Sequence, residues 1–204
     1  MKSPPDLTFE KGLWLASLNR VGGIDEAGRG ALAGPVAAAV VLLPPDPSLS
    51  RTLSGVRDSK QMTARARAFW APAIKETSTA WAIGLASAAE IDELGIVPCT
   101  RLAVMRAIAQ LPSAPDFLLT DYLILPACDI PQNAIVKGDQ RSLSIAAASV
   151  LAKTFRDALM LEWDAQYPAY GFAQHKGYGT LRHRSTVHRL GPCPIHRLSF
   201  SLRT

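Results

Sequence analysis

Two β-prone apolar runs, residues 20–25 and 35–43, are separated by a glycine-rich segment, and this spacing predicts a hairpin with an unusually elaborate turn. Asp25 is then expected at the end of the first strand. Thr63 is placed to cap a helix over 64–75, which Pro72 should kink or divide because proline brings no N–H to the helical ladder. A third strand is expected over 79–87. Ser87 followed by Glu90 has the spacing of a capping box, and Gly95 can end the short helix it opens. Pro98 suits the first turn of the next helix, whose apolar face runs through Leu102, Met105, Ile108 and Ala109 to Leu111. The short apolar runs 117–121 and 134–137 read as buried strands, each ending beside an aspartate. Residues 144–163, rich in Ala and Leu, predict a long helix just after Asp139. Strands therefore dominate the first part of the chain and helices the later part, with mixed connections.

Composition adds a size and a compartment. A chain of 204 residues, 48% hydrophobic and 19% charged, can bury the core of one domain, and neither an internal repeat nor a low-complexity segment interrupts it. The apolar run 31–43 is broken by Gly34 and Pro35 and falls short of the ~20 residues that cross a bilayer, so no membrane span is expected. Residues 1–6 lack the apolar stretch of a signal peptide, and Cys99, Cys128 and Cys193 are odd in number and far apart, which fits a reduced, cytoplasmic protein.

Charge changes the picture further. The net charge is only +5, yet no Asp or Glu follows Asp164, while that tail carries Lys176, Arg182, Arg184, Arg189, Arg197 and Arg203. Nearly the whole basic excess thus lies at one end, in a segment of about 165–204, which suggests a polyanionic partner; an ordinary solvated surface is the alternative.

Three aspartates, Asp25, Asp121 and Asp139, each follow an apolar strand candidate, so neighbouring strands would bring them to one rim of a sheet. Like charges a few ångströms apart repel strongly where the effective dielectric is low, and such a cluster persists only with compensation. Divalent cations supply it: hard ions prefer carboxylate oxygens, and they can activate a water and stabilise a leaving oxygen in phosphodiester hydrolysis. A single Asp at a strand end can equally begin a turn or cap a helix. Glu26 beside Asp25 argues otherwise, since no turn type needs adjacent carboxylates. Gly28-Arg29-Gly30 follows that pair and allows the backbone to approach a ligand closely. It has neither the third glycine of a dinucleotide fingerprint nor the Lys-Ser/Thr of a P-loop. His183, His188, Cys193 and His196 include a Cys-x-x-His step, but Pro194 intervenes and no second Cys pair completes a zinc site.

Several blocks together resemble the type 2 ribonucleases H, the bacterial ribonuclease HII group. They begin with Ile24-Asp25-Glu26-Ala27-Gly28-Arg29-Gly30 and Leu32-Ala33-Gly34-Pro35-Val36, then Asp58-Ser59-Lys60 and Lys137-Gly138-Asp139. Ser144-Ile145-Ala146-Ala147-Ala148-Ser149, Ala152-Lys153, Arg156-Asp157, Tyr170-Gly171-Phe172, His175-Lys176-Gly177-Tyr178-Gly179-Thr180 and His196-Arg197-Leu198-Ser199-Phe200 complete the order, over roughly residues 20 to 200. The resemblance implies an α/β ribonuclease H-like fold, with a mixed central sheet flanked by helices and a helical C-terminal part. It also implies cleavage 5′ of a ribonucleotide embedded in duplex DNA or at an RNA–DNA junction, leaving 3′-hydroxyl and 5′-phosphate ends. By motif, Asp25, Glu26 and Asp139 match the family's metal-binding acids, expected to hold Mg²⁺ or Mn²⁺. Asp121 takes the fourth place by its position on a strand end, although Tyr122 stands where the family usually has glycine; Asp129, before Pro131, is the alternative. Gly28, Arg29 and Gly30 would read the ribose 2′-hydroxyl and adjacent phosphates, with Tyr178 packed against the sugar. Lys60, Lys153, Lys176 and Arg182 are candidate phosphate contacts or, equally, ordinary surface cations. The sister type 3 group carries an extra N-terminal domain, and the roughly 24 residues before Asp25 are too few to fold alone. A resolvase-like nuclease of the same fold and a non-catalytic nucleic-acid-binding module are the remaining rivals. A monomer is expected.

Overall fold

The structure, a computed structural model, describes residues 4–202. Its centre is a five-stranded mixed sheet of β1 (Val21–Ala27), β2 (Val36–Leu42), β3 (Ala80–Ala86), β4 (Phe117–Asp121) and β5 (Gln132–Ile135), in the order β3-β2-β1-β4-β5. The predicted hairpin is present: β1 and β2 pair antiparallel, with Ile24 opposite Val40 and Ala27 opposite Ala37. β3 extends the sheet antiparallel to β2, while β4 lies parallel to β1 and β5 parallel to β4.

Helices cover both faces, and this explains why β2 reads as one continuous apolar run rather than an alternation. Ala39 and Val41 pack toward α6 (Leu143–Gln166), together with Ala71 and Ile74 of α3 (Ala64–Thr77). Ala38, Val40 and Leu42 pack toward Cys99, Ala103, Val104 and Ala107 of α5 (Ile96–Ala109). At Gly23 any Cβ would collide with the backbone of Ser144, so glycine lets the start of α6 settle directly on β1, two residues before Asp25. The remaining helices are α1 (Thr8–Leu15), α2 (Leu49–Thr52), α4 (Ala88–Leu94), α7 (Phe172–His175) and α8 (Leu181–Leu190). Among the described residues, no helix is long and apolar enough to cross a membrane.

Several expectations need correction. β1 continues to Ala27, so Asp25 lies inside the strand, paired with Ala39, and not at its end. α3 runs unbroken through Pro72 to Thr77, with Thr63 Oγ1 accepting from Ala66 N at 3.1 Å as its cap. The Ser87–Glu90 capping box is formed as expected, and Pro98 lies in the first turn of α5, which starts at Ile96. β5 begins at Gln132 and ends at Ile135, short of Lys137. α6 exceeds its predicted range at both ends, and Ser142 caps it by accepting from Ile145 N. α1 was not anticipated.

Candidate active site

The parallel register of β1 and β4 sets Ile24 beside Thr120, so Asp25 and Asp121 are the next residues on adjacent strands. Beyond β5 the chain makes a single 3₁₀ turn, Gly138–Gln140, and Asp139 sits within it. That turn is fastened to the rim because Gly138 N donates to Asp121 Oδ1 at 2.8 Å. Asp25 and Asp139 are buried, at 2% and 3% exposure, while Glu26 and Asp121 are half-buried. Asp129 is exposed in the loop before β5 and lies outside this arrangement. Among the described residues, no three His, Cys, Asp or Glu side chains already form a closed ligand group. The four acids share a rim instead of enclosing a point.

Their ionisation reflects this crowding. Burial first, and then the neighbouring Glu26 carboxylate, push the Asp25 carboxyl well above the ordinary carboxylate range. Burial also raises Glu26, against the pull of Arg29, whose Nη1 lies 3.1 Å from Glu26 Oε1. Asp139 is pushed up to about 6 by burial and then by the charges of Asp121 and Asp58. Asp25 Oδ1 accepts from Glu26 N at 2.7 Å, while the buried Oδ2 has no partner of hydrogen-bond geometry; the nearby Ser149 hydroxyl, which donates to Ser59 Oγ at 2.8 Å, only tempers the rise in the Asp25 pKa. A buried carboxylate oxygen without a donor is costly unless a cation satisfies it. An all-oxygen set of hard carboxylates with such an orphan atom fits Mg²⁺ or Mn²⁺.

Lys60 supplies nearby positive charge. Its ammonium stands 4.0 Å from Asp139 Oδ2, and although burial works against the charged form, Asp25, Asp58, Asp139 and Asp121 together raise its pKa. Asp58 had no role assigned from the sequence, yet its Oδ1 accepts from Lys60 N at 2.9 Å and its Oδ2 from Gln140 Nε2 at 3.3 Å. It thereby joins the Lys60 turn to the turn carrying Asp139. Lys153 donates to Asp157 at 2.7 Å, and its ammonium lies 5.3 Å from the centre of the Tyr178 ring.

Beside the acids, Glu26, Gly28, Arg29, Gly30, Lys60, Lys153 and Tyr178 line one cavity of about 330 Å³. Its glycine-rich wall is held from behind by two arginines that sequence reading left as motif members or tail charge. Arg156 is fully buried and donates to the carbonyls of Ala33, Pro35 and Lys176, each at 2.9 Å. Arg197, also fully buried, donates to the carbonyls of Gly34, Arg29 and Gly28 at 2.8–2.9 Å. Gly28 has φ of 93°, and a Cβ there would collide with Arg156 Nε, so both its conformation and its packing require glycine.

The C-terminal part closes this wall. Tyr178 bridges Ala31 and is half-buried, with the Arg156 guanidinium 5.5 Å from its ring centre. Lys176 does not line the cavity; its ammonium caps α7 by donating to the Ala173 carbonyl. Arg182 donates to Gln174 at 2.6 Å. Arg197, counted with the basic tail, is buried, and Arg203 lies outside the described residues. The zinc alternative finds no support: His183 and His196 are buried, but their Nε2 atoms face one another at 3.0 Å and Cys193 Sγ lies 3.1 Å from His196 Nδ1. His188 is exposed, and the described residues hold no closed ligand group here either.

The family model described as Ribonuclease HII matches residues 22–203. The chain belongs to the ribonuclease HII family. It is 53% identical over 199 residues to the ribonuclease HII of Synechococcus sp. strain JA-3-3Ab, covering 97% of this chain and 88% of that protein. Against the ribonuclease HII of Syntrophotalea carbinolica it is 50% identical over 194 residues, or 95% and 91% of the two chains. Among solved structures, ribonuclease H2 from Pyrococcus horikoshii OT3 superposes with a TM-score of 0.75 at 24% identity, covering 90% of this chain and 94% of that one. Bst-RNase HIII in complex with Mn²⁺ superposes with a TM-score of 0.67 at 18% identity, covering 91% and 68%. At these identities the structural likeness speaks for the ribonuclease H-like fold. Membership in the ribonuclease HII family makes the chain a type 2 ribonuclease H, an endonuclease of a divalent-metal-dependent family.

Proposed function

We propose that this enzyme hydrolyses the phosphodiester on the 5′ side of ribonucleotides embedded in duplex DNA or in RNA–DNA hybrids. The products are 3′-hydroxyl and 5′-phosphate ends, and the role is ribonucleotide removal from DNA and RNA primer processing. Asp25, Glu26, Asp121 and Asp139 hold the divalent cation, Mg²⁺ or Mn²⁺. The observation that carries this reading is the buried, unpartnered Oδ2 of Asp25 amid neighbouring acids whose pKa values burial has raised. When bound, the metal supplies a water of lowered pKa and charge stabilisation for the leaving oxygen.

The chain's own residues supply selection. Gly28, Arg29 and Gly30 present fixed peptide groups to the ribose 2′-hydroxyl, the one group that separates RNA from DNA at a single site, and they do so without reading the base. A deoxynucleotide there leaves those groups unpaired, at ~1 to 3 kcal/mol each, so ribose discrimination is strong and sequence preference weak. Tyr178 packs on the sugar, and Lys60 and Lys153 neutralise phosphates; Lys176, bonded within its own helix end, contributes to the local fold. The chain acts as a single catalytic domain and a monomer in the cytoplasm, with the segment from about 165 onward beside the active site.

The test is cleavage of a duplex containing one ribonucleotide beside the same duplex without it, with and without added Mg²⁺ or Mn²⁺. Metal-dependent cutting at the ribonucleotide alone is expected. Equal cutting of both duplexes, or cutting in the presence of a chelator, overturns the reading.

A further inference from the structure

Strand β4 stops at Asp121, and the next residue, Tyr122, has φ of 56°. This left-handed conformation is free to glycine but costly for a bulky L-residue. Within the protein the ring gains nothing in return: it is 75% exposed and, among the described residues, has no hydrogen bond or ring contact. The loop that carries it is nevertheless firmly built. Leu123 and Leu125 are buried, and Thr120 Oγ1 donates to Leu123 O at 2.5 Å. Gln132 donates to Leu125 O and accepts from Leu125 N, and Arg101 Nε donates to Ile124 O at 3.0 Å. Tyr122 is therefore displayed by a rigid frame.

The neighbouring chain exit has the same character. Tyr122 N donates to Ile135 O at 3.1 Å, which sets Tyr122 beside Val136, itself 57% exposed. Lys137 follows, exposed and also left-handed at φ 55°. It immediately precedes Gly138, whose N–H is bonded to Asp121 Oδ1. Two strained non-glycine residues thus bracket the hydrogen bond from Gly138 N to Asp121 Oδ1 that ties the Asp121 strand to the Asp139 turn. Strain of this kind concentrates where a side chain is wanted for binding.

The geometry points to a substrate platform: the Tyr122 ring, with Val136 beside it and the exposed Lys137 next along the chain, receives the nucleic-acid strand as it leaves the acids. The occupant follows from continuity, since a polymer cut beside Asp121 must run on over adjacent surface. It follows from chemistry as well, because an exposed ring and methyl groups next to a cation match the alternation of sugar and base faces with phosphates. Ring contact of this sort is tolerant of sequence. The proposal rests on the catalytic reading of Asp121 given above.

Steady-state kinetics of Tyr122→Gly, Tyr122→Phe and Lys137→Met on the one-ribonucleotide duplex, with thermal melting of each, test it. Tyr122→Gly should melt higher by about 2 °C, as the left-handed residue is relieved. It should also raise KM roughly 5- to 100-fold with kcat little changed. Tyr122→Phe keeps the ring and should keep KM. Lys137→Met should lower the slope of log KM against log salt by about one contact. An unchanged KM in Tyr122→Gly overturns the platform and leaves the surface to a protein partner or to no ligand. A fall in kcat together with Tm gives the residue a merely structural role and overturns it too. Failure of the unmutated enzyme to cut at the ribonucleotide instead condemns the catalytic reading.

Discussion

The molecule buries two clusters of charge near the exit of β1, and they are built on opposite terms. On the acid rim, carboxylates crowd each other, burial raises the pKa values of Asp25, Glu26 and Asp139, and one oxygen of Asp25 has no partner. Behind the glycine-rich turn, Arg156 and Arg197 each spend three donors on backbone carbonyls. Burial lowers both, Arg197 to about 9, although each of its three nitrogens donates to a carbonyl. Buried cations bonded to several backbone carbonyls support the fold, whereas buried carboxylates crowded against one another are suited to holding a cation.

The contrast is broken most sharply by Asp25→Asn or Asp139→Asn. Cleavage of the one-ribonucleotide duplex should fall by at least roughly 10²- to 10³-fold with duplex affinity largely kept. Removing one like charge should leave the melting temperature equal or higher, since function and stability compete on this rim. Arg197→Met should do the reverse. It leaves the Gly34 and Arg29 carbonyls without their donor, and Gly28 with Ala31 N alone, at ~1 to 3 kcal/mol for each unpaired group that water cannot reach, so denaturant melts should show a loss of a few kcal/mol.

Tyr178→Ala removes a ring that rests on the Arg156 side while facing the cavity. Activity at a single embedded ribonucleotide should drop roughly tenfold, and duplex affinity measured by anisotropy should drop less. Equal losses in both would assign the ring to general binding. The smallest effect concerns pH. His183, packed with His175, His196 and the Tyr178 carbonyl, has its pKa lowered from 6.5 to about 4, chiefly by burial. A histidine depressed in the folded state binds fewer protons there than when unfolded. Stability contributed by this cluster is complete above about 6.5 and drains away as pH falls toward 4. Asp139, raised to about 6 by burial, works the other way over this range, so the histidine contribution is read as the difference between the unmutated protein and His183→Gln: the stability advantage of His183 in urea melts should be smaller at pH 5 than at pH 7.5.

The legible parts of the sequence were those whose signal is local. The hairpin, the capping box, the long helix and the acids beside apolar runs follow from periodicity and neighbours along the chain. Asp121 could be chosen over Asp129 because strand ends, unlike loops, project to a common rim. Arg156 and Arg197 escaped because five of their six carbonyl partners lie more than a hundred residues away and the sixth, Lys176, lies 20 away, so nothing local distinguishes such an arginine from a surface cation. β5 was placed late because Gln132 and Asn133 are polar residues of an edge strand. α1 did leave a trace, since Phe9 and Leu13 stand at i and i+4 and pack with Trp14 near Ile145.

That first helix reaches further into the catalytic scaffold than its position in the chain implies. Glu10 Oε1, fully buried, accepts from Ser142 Oγ at 2.6 Å, from Ser144 N at 2.9 Å and from Ser144 Oγ at 2.6 Å. A carboxylate is thus seated at the positive end of α6, three residues beyond Asp139, where a helix N-terminus favours it. A shortened enzyme starting at β1 would keep every acid and every glycine of the pocket, yet the brace that fixes the Asp139 turn against its helix would be gone.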